Sequence, residues 1–203
     1  MMTTMIDPRL EGSVVLVTGG AGGIGAAITR AFAAQGAKPA VHYLADEATP
    51  PAGHQWAHAT PNEQAARDLA EELDTAAVAV AADLGEPLAI PRLLDEVEAA
   101  LGPVDVLVNN AAHCENPDSV HTLTAAGLER HYRVNAIAPA LLTAELARRH
   151  PEPGACVVNI STDAARAFPG QTAYGTSKAA LEALTRSTAL DLAASGLRVN
   201  AVA

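Results

Sequence analysis

Tyr174 and Lys178 stand four residues apart in Ala173-Tyr174-Gly175-Thr176-Ser177-Lys178, and Ser161 lies thirteen residues upstream. On a helix, positions i and i+4 share a face, so the phenol and the ammonium would stand side by side. A phenol ordinarily keeps its proton until about pH 10. A cation within about 4–6 Å favours the phenolate and lowers that value. The spacing therefore predicts a tyrosine able to give or take a proton at an oxygen near neutral pH. Such a pair also arises by chance on exposed helices, so the rest of the chain has to supply a context.

The N-terminal region supplies it. Ser13-Val14-Val15-Leu16-Val17-Thr18 is a short apolar, β-branched run that reads as a buried strand. It enters Gly19-Gly20-Ala21-Gly22-Gly23-Ile24-Gly25, after which residues 26–35 read as a helix stopped by Gly36. Strand, glycine turn and helix form the context of a dinucleotide-binding loop. The glycines let the backbone approach a pyrophosphate, and N–H groups at the helix start face the anion.

The glycine spacing Thr18-Gly19-x-x-x-Gly23-x-Gly25, together with Tyr174-x-x-x-Lys178, resembles the short-chain dehydrogenase/reductase family. Further motifs agree in order: Ala82-Asp83-Leu84, Asn109-Asn110-Ala111-Ala112, Asn135, Asn159-Ile160-Ser161 and Arg198-Val199-Asn200-Ala201. The resemblance runs from about residue 10 to the end. It implies an NAD(P)-dependent oxidoreductase that interconverts a carbonyl and a secondary alcohol, with a small-molecule substrate. A non-catalytic dinucleotide-binding protein is the alternative. By resemblance, Tyr174 is the proton donor and acceptor, Lys178 lowers its pKa and holds the nicotinamide ribose, and Ser161 positions the substrate oxygen. Asn135 is expected to organise a proton-relay water. Four residues later Pro139 has no N–H to give the Asn135 carbonyl, so the helix is expected to kink there.

The same resemblance assigns the dinucleotide to Thr18, Gly19, Gly22, Gly23, Ile24, Gly25, Tyr43, Leu44, Asp83, Leu84 and Asn110, besides Tyr174 and Lys178. The choice between NADP and NAD is less marked. The position after the second strand that carries an acid in NAD enzymes is Tyr43 here. The arginine positions used for NADP are Gly22 and Leu44. His42-Tyr43 resembles the strand end of NADPH-dependent relatives, so NADP is favoured.

Alternating strands (near 13–18, 38–43, 76–81, 104–109, 155–161 and 198–203) and helices (near 23–35, 62–73, 88–101, 124–150 and 171–195) predict an α/β fold. This is a Rossmann-type doubly wound parallel sheet of order 3-2-1-4-5-6 in a single domain, residues 1–203. Apolar residues make up 49% of the 203 residues and charged ones 18%, an ordinary globular balance. The net charge of −10 argues against nucleic-acid and anionic-membrane partners. Met1–Gly12 has neither a basic region nor an apolar run, so no signal peptide is expected and the cytoplasm is the default location. By resemblance, the faces of helices 134–150 and 171–195 would build a homodimer or homotetramer.

Cys114 and Cys156 have no metal spacing, and His54 and His58, although i,i+4, lie among prolines where no helix is credible, so no metal ligands are expected. Residues 46–63 form a connection longer than the family usually has, placed near the adenine end. His113, Cys114, Arg166 and Phe168 are candidates for the substrate mouth by position alone. Ala203 falls inside the expected sixth strand, whereas family members continue into a substrate-covering segment and a seventh strand. The chain is thus expected to be C-terminally truncated and its own activity reduced.

Overall fold

The computed structural model describes residues 9–150 and 153–203. The N-terminal stretch read as carrying no signal peptide lies largely outside the described residues. Six strands, β1 (Val14–Val17), β2 (Lys38–Tyr43), β4 (Val78–Ala81), β5 (Val106–Asn109), β7 (Cys156–Ile160) and β8 (Arg198–Val202), make one sheet. Its order is β4-β2-β1-β5-β7-β8 and every pairing is parallel. Taken in chain order these six strands lie 3-2-1-4-5-6, as the alternation of elements predicts.

The strands lack a polar face because both faces are covered. Val14, Leu16 and Leu107 point into one core with Leu93, Leu94, Leu142 and Leu146. The first pair of those leucines comes from α3 (Ala89–Leu101) and the second from α5 (Ala138–Arg149). The alternate residues Val15, Val17, Val106 and Val108 form the opposite core against Ile28 and Phe32 of α1 (Gly23–Ala33). The edge of that face, at Val41 and Tyr43, is covered by Leu69 of α2 (Glu63–Glu72).

Three features position the site. The long helix α6 (Thr172–Asp191) carries Tyr174, Ser177 and Lys178. Between α4 (Ala125–Tyr132) and α5, residues Arg133–Ile137 form a π-helical turn in which the Ala138 N–H bonds the Arg133 carbonyl. The kink expected ahead of Pro139 therefore takes the form of a π-bulge, and Asn135 lies inside it, fully buried. Finally, the long connection is not structureless. Its β3 (Gln55–Trp56) pairs antiparallel with β6 (Glu115–Asn116), and Ala57 N–H adds a bond to the Cys114 carbonyl. This strap ties the connection after β2 to the connection after β5. Sequence periodicity missed it because two-residue strands carry no period.

Candidate dinucleotide and active site

At the carboxyl end of β1, Thr18 is buried and works in three directions. Its hydroxyl donates to the Val108 carbonyl (3.2 Å) and accepts from the N–H groups of Asn110 (2.9 Å) and Ala111 (3.1 Å). The Asn110 amide donates back to the carbonyls of Thr18 (2.9 Å) and Gly19 (3.1 Å). Thr18 and Asn110 thereby lock the glycine turn to the end of β5.

His42 locks it to the other side. Its Nδ1 accepts the Gly19 N–H at 3.0 Å and its Nε2 lies 3.0 Å from the Ala82 carbonyl. The ring is therefore the neutral Nε2–H tautomer, bridging β1, β2 and β4. Burial pushes its pKa down to about 4. Because the folded value lies below the ordinary 6.5, the unfolded chain binds the proton first as pH falls. The stability tied to this ring is whole above about pH 6.5 and disappears between there and about pH 4, a loss of roughly 3 kcal/mol. Denaturant titrations across that window should show the loss in the wild type and a flatter profile in His42→Gln.

A cleft opens beyond the strand ends. Gly19, Gly22, Gly23, Ile24, Gly25, Tyr43, Leu44, Asp83, Leu84 and Asn110 all line it, ten of the residues assigned to a dinucleotide from the sequence. Two observations fit a pyrophosphate there. The N-terminus of α1 has no side-chain cap and no acidic residue in its first turn, leaving its N–H dipoles for an outside anion. A Cβ at Gly25 would stand 2.1 Å from the Gly19 carbonyl oxygen, so only glycine lets the helix start come this close to the turn. The strap roofs the cleft: His58, Ala59, Thr60 and Pro61 line it too, and a Cβ on Gly22 would meet Pro61 Cγ at 2.3 Å. The sequence places the long connection near the adenine end but does not reveal this roof.

Tyr174, Lys178 and Ser161 do not line this cleft. Lys178 is 2% exposed and donates from Nζ to the Ile160 carbonyl at 2.8 Å. Burial lowers its pKa to about 8, so the ammonium still predominates at neutral pH. Tyr174 is half-buried, and here the sequence expectation is corrected. Its pKa is raised, first by burial and then by the neighbouring Cys114 and Asp163. The ammonium is directed at the Ile160 carbonyl, and the phenol keeps its proton at neutral pH.

Ser161 donates its hydroxyl to Glu182 Oε1 at 2.7 Å and borders a separate hollow with Arg186 and Asn200. Asn135 accepts the His113 N–H on Oδ1 (2.7 Å), and its amide donates to the His113 carbonyl and to Ser177 Oγ, both at 2.9 Å. Ser177 Oγ in turn donates to the Tyr174 carbonyl at 2.7 Å. The π-bulge residue thus links the cleft wall at His113 to the helix that carries Tyr174. Of the candidates for the substrate mouth, His113 lines the cleft and Phe168 is largely exposed.

Asp118 is a site residue that sequence reasoning missed. Its carboxylate accepts the N–H of Ala173 (2.8 Å) and of Tyr174 (2.9 Å), capping α6, whose own preceding residue Gln171 makes no side-chain cap. Its only local signal is turn chemistry in Asn116-Pro117-Asp118-Ser119, and nothing in the sequence ties that turn to residue 173. Asp118→Ala should cost about 1–2 kcal/mol by loss of the cap. Turnover should fall more than dinucleotide affinity, because the backbone under Tyr174 loosens. Urea unfolding and separate kcat and Kd measurements check both.

Comparison with known proteins agrees with this fold. Residues 19–203 match a family model described as enoyl-(acyl carrier protein) reductase. The chain is 34% identical over 198 residues to NADPH-dependent aldehyde reductase 1, chloroplastic, of Arabidopsis thaliana, covering 96% of this chain and 65% of that protein. Glucose and ribitol dehydrogenase of Daucus carota is 34% identical with the same coverage. The chain therefore spans about two thirds of these relatives' length. Among solved structures, a short chain dehydrogenase from Burkholderia cenocepacia J2315 in complex with NADP superposes with a TM-score of 0.82 at 33% identity, covering 95% of this chain and 74% of that one. A blue fluorescent protein from a metagenomic library in complex with NADPH gives 0.81 at 34% identity, covering 95% and 73%. On motif order, sheet topology and these likenesses, the chain is a member of the short-chain dehydrogenase/reductase family.

Proposed function

We propose that the protein is an NAD(P)-dependent oxidoreductase that reduces a carbonyl to a secondary alcohol, with NADP the favoured dinucleotide. One observation carries the reading: the ten assigned cleft residues converge at the uncapped start of α1, and Asn135 and Ser177 join that cleft wall to the helix holding Tyr174. NADP is favoured by the relatives that name NADPH or were solved with it.

The dinucleotide, when bound, supplies the hydride. The chain's residues do the rest. Gly22, Gly23, Ile24 and Gly25 present N–H groups to the pyrophosphate. Asp83 and Leu84, which line the cleft, would hold the adenine. Tyr174, kept protonated by burial, gives its proton to the oxygen that gains charge as the carbonyl is reduced. Lys178, one helical turn after Tyr174 and still charged at neutral pH, would hold the ribose hydroxyls once its ammonium leaves the Ile160 carbonyl. Ser161 holds the substrate oxygen once its hydroxyl exchanges Glu182 for the substrate. Assembly as a dimer or tetramer belongs to the same reading, and exposed Ile137 and Leu190 supply apolar surface beside α5 and on α6.

Mixing the protein with NADPH or NADH and a panel of aldehydes and ketones, while following nicotinamide absorbance, tests the proposal. Carbonyl-dependent oxidation faster with NADPH supports it. Tight dinucleotide binding without oxidation across the panel would favour the non-catalytic alternative.

A further inference from the structure

Beside the cleft, behind His113, three buried nitrogens have no hydrogen-bond partner: His113 Nε2, His131 Nε2 and Arg130 Nε. All belong to groups gathered around one carboxylate, Glu115, which is itself 3% exposed. Unpartnered polar atoms at this depth are uncommon, and His113 Nε2, which faces Glu115 Oε1 at 3.6 Å, is the one that indicates a missing ligand. We propose that His113, Glu115 and His131 form a binding site for a zinc-like divalent transition metal ion.

The geometry fits such an ion. Donors held about 2.1 Å from a tetrahedral zinc stand ~3.4 Å from one another. Glu115 Oε1 lies 3.4 Å from His131 Nδ1 and 3.6 Å from His113 Nε2. One ligand atom from each of the three residues lies within 4.8 Å of the other two. Two imidazoles and one carboxylate suit zinc and exclude calcium and magnesium, which take oxygen donors.

Arg130 does not close the site. Its single Nη2 atom reaches both carboxylate oxygens, at 3.1 and 2.9 Å, while its Nε is left without a partner and the guanidinium lies over Trp56, 5.8 Å from the ring centre. A fork-to-fork ion pair would use two nitrogens. With the metal on Oε1, Arg130 keeps Oε2 and acts as an outer partner that orients the ligand. Seating the ion on His131 Nδ1 moves the ring proton to Nε2, and the bond Nδ1 now makes to the Gly127 carbonyl (2.8 Å) gives way. The fourth corner falls to water or to that carbonyl.

The ion would be a structural clamp. It joins the segment after β5, which carries the Asn135-bound backbone of His113, to the last turn of α4 just before the π-bulge. The sequence gives no sign of this grouping, because His113 and Glu115 stand in the connection after β5 while His131 lies on α4.

The whole chain, stripped with chelator and dialysed at slightly alkaline pH, is titrated with zinc chloride in a calorimeter. In parallel, cobalt(II) is followed by its visible bands. One zinc should bind per chain at micromolar concentration or below, with the intense cobalt bands of a tetrahedral site and a rise in the thermal midpoint. His113→Ala and Glu115→Gln should weaken binding at least about tenfold, while the strap variant His54→Ala should not. Circular dichroism confirms that each variant is folded, and the cobalt spectrum of the wild type tests the site without relying on any variant. Absence of stoichiometric zinc binding to the folded wild type, or only the weak cobalt bands of a six-coordinate ion, would overturn the proposal. Equal affinity in His113→Ala and Glu115→Gln would do the same by placing the ion elsewhere.

Discussion

Tyr174→Phe should lower turnover by about 100- to 10,000-fold, the usual contribution of one positioned proton-transfer group, while dinucleotide affinity stays within a few-fold of wild type. The hydroxyl is the only atom removed, and the fold does not depend on it: no hydrogen bond from it is seen among the described residues, whereas the Tyr174 N–H and carbonyl are held by Asp118 and Ser177. Burial keeps the phenol protonated across neutral pH, so the loss should show as a missing acid in the reduction direction. A fall shared equally by kcat and kcat/KM is the signature of an interaction made only in the transition state. A Phe variant retaining more than about a tenth of wild-type turnover would remove Tyr174 from the mechanism.

Gly25→Ala should strike binding and stability together. The new methyl would stand 2.1 Å from the Gly19 carbonyl oxygen and 2.6 Å from Asn110 Nδ2. Neither can yield freely. Gly19 is fixed by His42, and the Asn110 amide holds the Thr18 and Gly19 carbonyls. The start of α1 must therefore lift away from the turn. Overpacking of this kind costs about 1–3 kcal/mol, which in a chain of this size lowers the thermal midpoint by roughly 2–12 °C. Lifting α1 also carries its N–H groups off the pyrophosphate position. Dinucleotide affinity should drop by at least about tenfold, one such step being 1.4 kcal/mol. Calorimetric titration with NADPH and a thermal melt measure the two effects separately. Unchanged affinity would mean that the pyrophosphate is held elsewhere.

The sheet was legible because its strands are buried on both faces and bounded by glycine turns, so that hydrophobic runs, lengths and crossover handedness leave one topology. The cleft was legible for a related reason. Residues such as Gly19, Asp83 and Asn110 sit just beyond strand ends, which a doubly wound sheet brings to one side whatever the details of packing. What the sequence hid depends on contacts between distant turns. Asp118 caps a helix 55 residues away. The strap closes through two strands of two residues each. The orientation of a polar side chain was hidden as well: Lys178 four residues after Tyr174 implied a phenolate. The deciding fact is where Nζ points, and the Ile160 carbonyl settles that only in three dimensions. The π-bulge lies between these cases, since Pro139 announced a break but not its form.

Reduction with nicotinamide deuterated at C4 is the most direct test of the account. Incubating the protein, NADPH carrying deuterium at both C4 positions and a reactive ketone, then locating the label by mass spectrometry and NMR, follows the transferred atom itself. Transfer from the cleft to a carbonyl carbon, with the oxygen's proton supplied through Tyr174, predicts one deuterium on the carbinol carbon and hydrogen from water on its oxygen. Both deuteriums retained by the dinucleotide while product forms, or product whose carbinol carbon carries solvent hydrogen, would contradict it.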